Sequence, residues 1–238
     1  MENSPPSKTV LESLLIPSTA TITSVLTKYG LWNTFMQNVT PNIPNTKIAG
    51  PAFTMRYIPA REDLARAPVD PLKDVQRMGI ERIGEGEILV VDARGETSAG
   101  IMGDILVSRI IQRGAVGVVT DGGFRDTPGI KEMGLTTYSR CMNAHNSRCV
   151  HYPCDIQTPI ACGGVAIFPG DIIVGDAEGI VVIPLHLAEE VADQAVEQEH
   201  REEWILSKIK EGRSTNGLYP PDENTLEEYE VWKAQNRI

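Results

Sequence analysis

No stretch of the 238 residues approaches the roughly 18 uninterrupted apolar residues that a membrane helix requires. No run of five or more Lys or Arg occurs, and 32 acidic against 22 basic side chains leave a net charge of −10. A nucleic-acid surface needs a basic stripe, so this balance argues against nucleic acid as a partner. Cysteine is scarce: Cys141, Cys149, Cys154 and Cys162. Four in a chain of this length make no disulfide framework, and a reduced, cytoplasmic setting is expected. The opening Met-Glu-Asn-Ser-Pro-Pro-Ser-Lys has no basic region followed by an apolar one, so no secretory signal is expected.

Familiar catalytic signatures are missing too. There is no G-x-S-x-G, Walker loop, G-x-G-x-x-G or H-E-x-x-H, and no lysine stands in an apolar setting suited to a Schiff base. The cysteines crowd with His145 and His151, and Cys149-Val-His151-Tyr-Pro-Cys154 has something of a zinc-ligand spacing. It lacks a Cys-x-x-Cys and a second ligand pair at finger spacing, so structural zinc is not expected.

What is present is ordinary globular usage, 41% apolar and 23% charged, in a chain long enough for a substantial core. Residues 1–14 read as a flexible N-terminus, 15–212 as one domain closed by a long helix, and 213–238 as a polar tail. Ser18 reads as the N-cap of a helix over 19–29 with Ile22, Val25 and Leu26 on its apolar face and Gly30 after it. Residues 48–58 read as a strand in which Pro51 suits the start rather than a central position. Arg61-Glu62-Asp63 is a charged turn or a lid. Residues 88–92 and 115–120 are short, β-branched and continuously apolar, like strands buried on both faces. The stripe Leu106, Val107, Ile110, Ile111 between them reads as a helix, giving a right-handed βαβ unit. Residues 135–138 form another strand, 140–158 are irregular, and 159–184 read as an antiparallel meander. Asp171 and Asp176 fall at its turns, where turn chemistry accounts for them.

The candidate chemistry lies in residues 99–126. Ala99-Gly100-Ile101-Met102-Gly103-Asp104 opens onto the crossover helix, whose first N–H groups can hold a carboxylate or phosphate. Arg125-Asp126 leaves the next strand at its carboxyl end, the edge where ligands of open α/β sheets collect. Asp104 alone could be an N-cap, and Arg125 with Asp126 a surface ion pair. Together, two carboxylates suit a hard cation such as Mg²⁺ or Mn²⁺, and Arg125 offers a fork for a carboxylate or enolate oxygen.

Gly103-Asp104, twenty residues, then Arg125-Asp126 resembles the signature of the RraA-like family. That family includes metal-dependent 4-hydroxy-4-methyl-2-oxoglutarate aldolases (class II pyruvate aldolases) and regulators of ribonuclease E activity. The likeness extends to residues 49–54, 114–122 and 168–184, roughly residues 15–200 in all. It implies a three-layer β/β/α swivelling-domain fold, here with a C-terminal helical extension, in a homotrimer or homohexamer. It implies a lyase acting on 2-oxo acids with Mg²⁺ or Mn²⁺, by retro-aldol cleavage, oxaloacetate decarboxylation or both, through a pyruvate enolate. Asp126 would bind the metal, Arg125 the keto or enolate oxygen, and Asp104 a water on the metal. The amides of Gly103, Asp104, Ile105 and Leu106 would take the substrate carboxylate. A glutamate from a neighbouring subunit's terminal helix also serves in some members; Glu199 is the candidate, with Glu197, Glu202 and Glu203 as competitors. The alternative from the same resemblance is a non-catalytic, protein-binding regulator of ribonuclease activity. The longer segment near residue 61, the Cys/His stretch and the extended tail depart from the shorter members.

Overall fold

The computed structural model describes residues 6–65, 70 and 72–236. Its centre is an eight-stranded mixed sheet with helices on one face and a β-hairpin on the other.

The chain begins with two short helices, α1 (Lys8–Ser13) and α2 (Thr19–Lys28). Ser18 caps α2 by accepting the Thr21 N–H at 3.1 Å, as its position before an apolar stripe leads one to expect. Helix α1 corrects the expectation of a flexible N-terminus for residues 8–13. Val10 and Leu11 pack against the core that buries Leu14, so the segment is tied down. Strands β1 (Thr40–Pro41) and β2 (Ile48–Pro59) follow, then α3 (Glu62–Ala65) and α4 (Val75–Arg82). Arg61 and Asp63 pair with each other at the exposed surface, as a solvated turn does.

Next come β3 (Ile88–Asp92), α5 (Asp104–Gln112) and β4 (Gly117–Thr120), with β3 and β4 parallel. This is the βαβ unit expected from the sequence. Strand β5 (Gly123–Phe124), α6 (Thr127–Glu132), β6 (Thr136–Ser139) and β7 (Cys141–Met142) lead into β8 (His151–Ile156). Strand β8 corrects the irregular reading of residues 140–158. It pairs antiparallel with β2, and the register shifts so that Tyr57 lies opposite Pro153 while Arg56 lies opposite Asp155. Cys154 is the extra residue of that bulge, which interrupts the two-residue alternation that would have marked a strand.

Two hairpins replace the single meander expected over 159–184. Strands β9 (Ile160–Cys162) and β10 (Val165–Ile167) form a separate pair; β11 (Ile172–Gly175) and β12 (Ile180–Ile183) join the main sheet. The main order is β1-β6-β4-β3-β2-β11-β12, with β8 also on β2. Pro51 lies inside β2 rather than at its start. The ladder to β3 begins one residue later, at Ala52 opposite Ile88, so the missing proline N–H falls before it.

Alternation sets the three layers. Phe53, Met55, Leu89 and Val91 meet Ile80, Val107 and Ile110 of the helical layer. Ala52, Ile88 and Val90 face the opposite way, onto Ile160, Val165 and Ile167 of the hairpin. The result is a β/β/α sandwich of layers. Helix α7 (Ala188–Lys210) packs Val191, Ala192 and Ala195 against α2 and the β11–β12 pair. Its far half carries a small cluster of its own, Trp204 and Ile205 with Leu218 and Tyr229, because α8 (Glu223–Asn236) folds back on it within the stretch read as a polar tail.

Asp171 and Asp176 serve turns and joints. Asp171 accepts the Phe168 N–H at 2.8 Å. Asp176 accepts the N–H of Thr19 at 2.8 Å, its hydroxyl at 2.9 Å and the Glu178 N–H at 2.9 Å. Truncating a buried acceptor leaves these donors unpaired. Asp176→Ala is therefore expected to lower stability by about 2–3 kcal/mol in urea unfolding, with early loss of hydrogen-exchange protection in α2. Unchanged stability would remove Asp176 as the joint between α2 and the sheet.

Candidate active site

Three loops meet beyond the carboxyl ends of β3, β4 and β6, and their backbones are bonded to one another. Ile101 N–H donates to Gly123 C=O at 2.7 Å, Arg125 N–H to Met102 C=O at 3.2 Å and Gly100 N–H to His145 C=O at 3.0 Å. Asn143 N–H donates to Phe124 C=O at 2.8 Å. Gly100 sits at the crossing. A Cβ there would lie 2.7 Å from the Arg125 nitrogen and 2.9 Å from the Asn143 oxygen, both backbone atoms. Only glycine permits that approach.

This crossing places the crossover helix opposite the Arg-Asp pair. Gly103 is the N-cap of α5 and offers no side-chain acceptor. The first helical bond runs from Val107 N–H to Gly103 C=O, so the amides of residues 104–106 have no helical partner. One is already taken: Ile105 N–H donates to Asp104 Oδ1 at 2.8 Å. The expected four-amide cradle is thus smaller, with the Asp104 and Leu106 amides the members left within the first turn. Asp104 is the first helical residue rather than the N-cap.

Asp126 adopts a left-handed backbone, φ 55°, ψ 31°, at the N-cap position of α6, yet its carboxylate caps nothing. Such a conformation in a non-glycine residue costs energy and clusters at functional sites. The carboxylate turns instead to Arg125 Nε, 3.1 Å away, and overlies Gly103. A Cβ on residue 103 would come within 2.2 Å of Asp126 Oδ2. Gly103 therefore serves both the helix start and the seat of the Asp126 carboxylate.

These groups open onto a cleft of about 310 Å³. Ile101–Leu106, Arg125 and Asp126 form one wall. The other wall comes from Gln76 and Arg77 of α4 and from Asn146, Ser147 and Arg148, none of which the sequence reading singled out. Gln76 Nε2 donates to Tyr57 Oη at 2.6 Å and Ile101 C=O at 2.9 Å, tying the walls together below the surface. Arg109 and Glu81 pair across α5 and α4 at 2.6 Å.

Of the predicted site residues, Gly103, Asp104, Ile105, Leu106, Arg125 and Asp126 come together. Glu199 does not join them within the chain: its Oε2 accepts the Ser18 N–H at 3.1 Å, on the α2–α7 joint. Glu197 pairs with Lys233, and Glu202 accepts from Gln198. Two buried carboxylates near the loop ends are structural. Asp121 accepts from the amides of Ala93 and Gly95, each at 2.8 Å, and burial pushes its carboxyl above the usual range. Asp92 accepts from Arg94 N–H at 2.9 Å. All four cysteines are free, and burial drives the Cys162 thiol well up. Among the described residues no three His, Cys, Asp or Glu side chains gather as a metal cluster.

A crossover-helix N-terminus facing an Arg-Asp pair across a bonded loop crossing defines a small α/β protein with a cleft at its sheet edge. The chain belongs to the RraA-like family, Aldolase/RraA, whose model matches residues 19–182. A Halalkalibacterium halodurans protein named "Putative 4-hydroxy-4-methyl-2-oxoglutarate aldolase" is 32% identical over 184 residues, 76% of this chain and 81% of that protein. The structure of Streptomyces coelicolor RraAS2, described as an unusual member of the RNase ES inhibitor RraA protein family, superposes with a TM-score of 0.76. It is 32% identical, over 84% of this chain and 97% of that one. A protein from Pseudomonas syringae pv. tomato gives 0.78 at 25% identity, over 91% and 99%.

Because the atoms crowding Gly100 are backbone, no side-chain rotation relieves an added methyl. Gly100→Ala is expected to cost about 2–3 kcal/mol in denaturant unfolding, in the range of overpacking substitutions. A variant as stable as the parent would mean that the crossing tolerates displacement.

Proposed function

We propose that the chain is a divalent-metal-dependent lyase acting on 2-oxo acids, through retro-aldol cleavage of the 4-hydroxy-4-methyl-2-oxoglutarate kind, oxaloacetate decarboxylation, or both. The observation that carries this reading is the Asp126 carboxylate, held on a strained backbone, spared from capping, and set beside Arg125 over the start of α5. The aldolase name borne by the Halalkalibacterium relative supports it.

The donor set fits Mg²⁺ or Mn²⁺. Asp126 is a hard oxygen ligand with its side chain 40% exposed to the cleft. A cation that keeps several waters needs only one or two protein carboxylates. Asp126 would hold the cation, which when bound supplies Lewis-acid polarisation of the 2-oxo group.

The chain's own groups supply the rest. The free amides at the start of α5 receive the substrate's 1-carboxylate, helped by the positive end of the helix. Arg125 directs its guanidinium at the 2-oxo oxygen. In the retro-aldol step the C3–C4 bond breaks, its electron pair forms the C2–C3 enolate, and the C4 hydroxyl gives up its proton. Asp104 orients the water that takes that proton. Arg125 stabilises the charge growing on the enolate oxygen, which is stronger in the transition state than in the ground state and so lowers the barrier. Protonation at C3 completes pyruvate. Decarboxylation of oxaloacetate reaches the same enolate by loss of CO₂. Assembly as a trimer or hexamer is part of the same reading, measurable by light scattering. A role for Glu199 in a neighbour's site requires release of its contact with Ser18.

Pyruvate release from oxaloacetate and from 4-hydroxy-4-methyl-2-oxoglutarate, coupled to lactate dehydrogenase, tests the proposal. Activity with Mg²⁺ or Mn²⁺ is expected to vanish in EDTA and to fall about 10²–10³-fold in kcat for Arg125→Met. Activity indifferent to EDTA or to Asp126→Ala would rule out the metal role. Gly103→Ala presses on the side chains of Asp126 and Arg125 and on no backbone atom, so it is expected to leave stability within about 1 kcal/mol while weakening Mn²⁺ binding about tenfold or more. Unchanged Mn²⁺ affinity would separate Asp126 from the cation.

The likeness to RraAS2 favours a second reading, a protein-binding regulator of ribonuclease activity. Stable binding to a ribonuclease, with no turnover of any 2-oxo acid, would select it.

A further inference from the structure

The part of the cleft built by α4 and residues 146–148 carries charge to which the reaction above assigns no role. Arg77 and Arg148 line it, so three guanidinium groups, with Arg125, surround a cleft that contains only the carboxylates of Asp104 and Asp126. In a chain of net charge −10 the lining of this cleft is one charge positive, with the balancing carboxylate of Asp74 withdrawn from the surface beside Arg148, and guanidinium donors presented this way attract anions.

Arg148 is fixed at both ends. Asn146 Oδ1 accepts its backbone N–H at 2.9 Å and so caps the short turn Ser147–Cys149. Its Nη2 donates to Asp74 Oδ2. Asp74 is the N-cap of α4, with its other oxygen accepting the Arg77 N–H at 3.1 Å. The Asp74 side chain is only 7% exposed, whereas that of Arg148 is 41% exposed. Among the described residues, Nε and Nη1 of Arg148 have no protein acceptor. A buried carboxylate thus steadies a guanidinium whose remaining donors are unspent, on the lining built by α4 and residues 146–148 rather than by residues 101–106, 125 and 126. A fork held this way loses little freedom on meeting a planar anion.

The geometry points to Arg148 as a specificity-determining residue that binds a second anionic group at the far end of the substrate, with Asp74 as its positioning residue. This rests on the 2-oxo-acid reading and deepens it. One anionic end meets the α5 amides and Arg125, and the other meets Arg148. The second group is a carboxylate or a phosphate, both of which a guanidinium fork receives through paired N–H donors. Acids with a single charge fill only the first end.

Titration calorimetry of the full chain with Mn²⁺ tests this without turnover, using pyruvate, 2-oxoglutarate and phosphonopyruvate as probes. The parent is expected to bind at least one of the two doubly anionic probes about tenfold or more tightly than pyruvate. Arg148→Met is expected to reduce that probe to the pyruvate level and leave pyruvate within about twofold; Arg148→Lys, which keeps the charge, is expected to fall between. Asp74→Asn keeps a competent cap for α4 and is expected to lose part of the same preference with pyruvate unaffected. The probe that loses most identifies the terminal group as carboxylate or phosphate. Unfolding midpoints show that each variant is folded. Equal losses for pyruvate and the doubly anionic probes, or no loss for either, overturn the assignment to Arg148. Binding of pyruvate with no preference for a second anion overturns this inference alone. Binding of none of the three overturns the 2-oxo-acid reading with it.

Discussion

The backbone crossing at Gly100 is the constraint on which the cleft depends. Three loops, leaving β3, β4 and β6, approach closely enough to exchange main-chain hydrogen bonds, which leaves no room for a side chain at residue 100. Those bonds hold the end of β5 against the start of α5, and so hold Arg125 and Asp126 against Gly103. Side chains alone could not fix this arrangement, because Arg125 and Asp126 are each more than a third exposed and a surface ion pair contributes little. The backbone sets the geometry and the side chains inherit it, at the cost of a left-handed Asp126.

The same crossing gathers the proposed anion-binding groups at one sheet edge of an acidic protein. A helix N-terminus, an arginine with its neighbouring carboxylate and a second arginine from residues 146–148 are brought to one opening. Each is ordinary by itself. Their convergence within a cleft of about 310 Å³, whose walls are tied by Gln76 and by the Arg109–Glu81 pair, is what supports the proposed lyase chemistry. The carboxylates of Asp92, Asp121, Asp171 and Asp176, although buried, are bound to backbone amides or to Thr19, and serve the frame.

Much of the frame was legible because hydrophobic periodicity reports layers directly. The continuous apolar runs at 88–92 and 115–120 are strands covered on both faces, and the stripe at 106–111 is the helix between them. Gly103, Asp104, Arg125 and Asp126 were legible as a group because a βαβ unit sends a crossover-helix start and the next strand's end to the same edge. What stayed hidden depended on contacts distant in sequence. Strand β8 was masked by the bulge at Cys154 and by Pro153. Helix α8 was masked by charge, since of its residues Tyr229 and Trp232 supply the apolar contacts to Trp204. The second wall was invisible because Asp74, Gln76 and Arg148 meet only through the pairing of β8 with β2 and the packing of α4. Glu199 shows the converse: terminal-helix glutamates compete on sequence, and hydrogen bonds to Ser18 and Lys233 separate them.

The central claim is that this site stabilises pyruvate enolate. Its most direct test is exchange of the pyruvate methyl protons for deuterium in D₂O, followed by proton NMR with Mg²⁺ or Mn²⁺ present, because exchange requires the enolate and no cleavage of a carbon–carbon bond. Exchange well above the metal-only background is expected, lost in Asp126→Ala and in Arg125→Met. Exchange at background in the folded parent, or equal exchange in parent and variants, would contradict it.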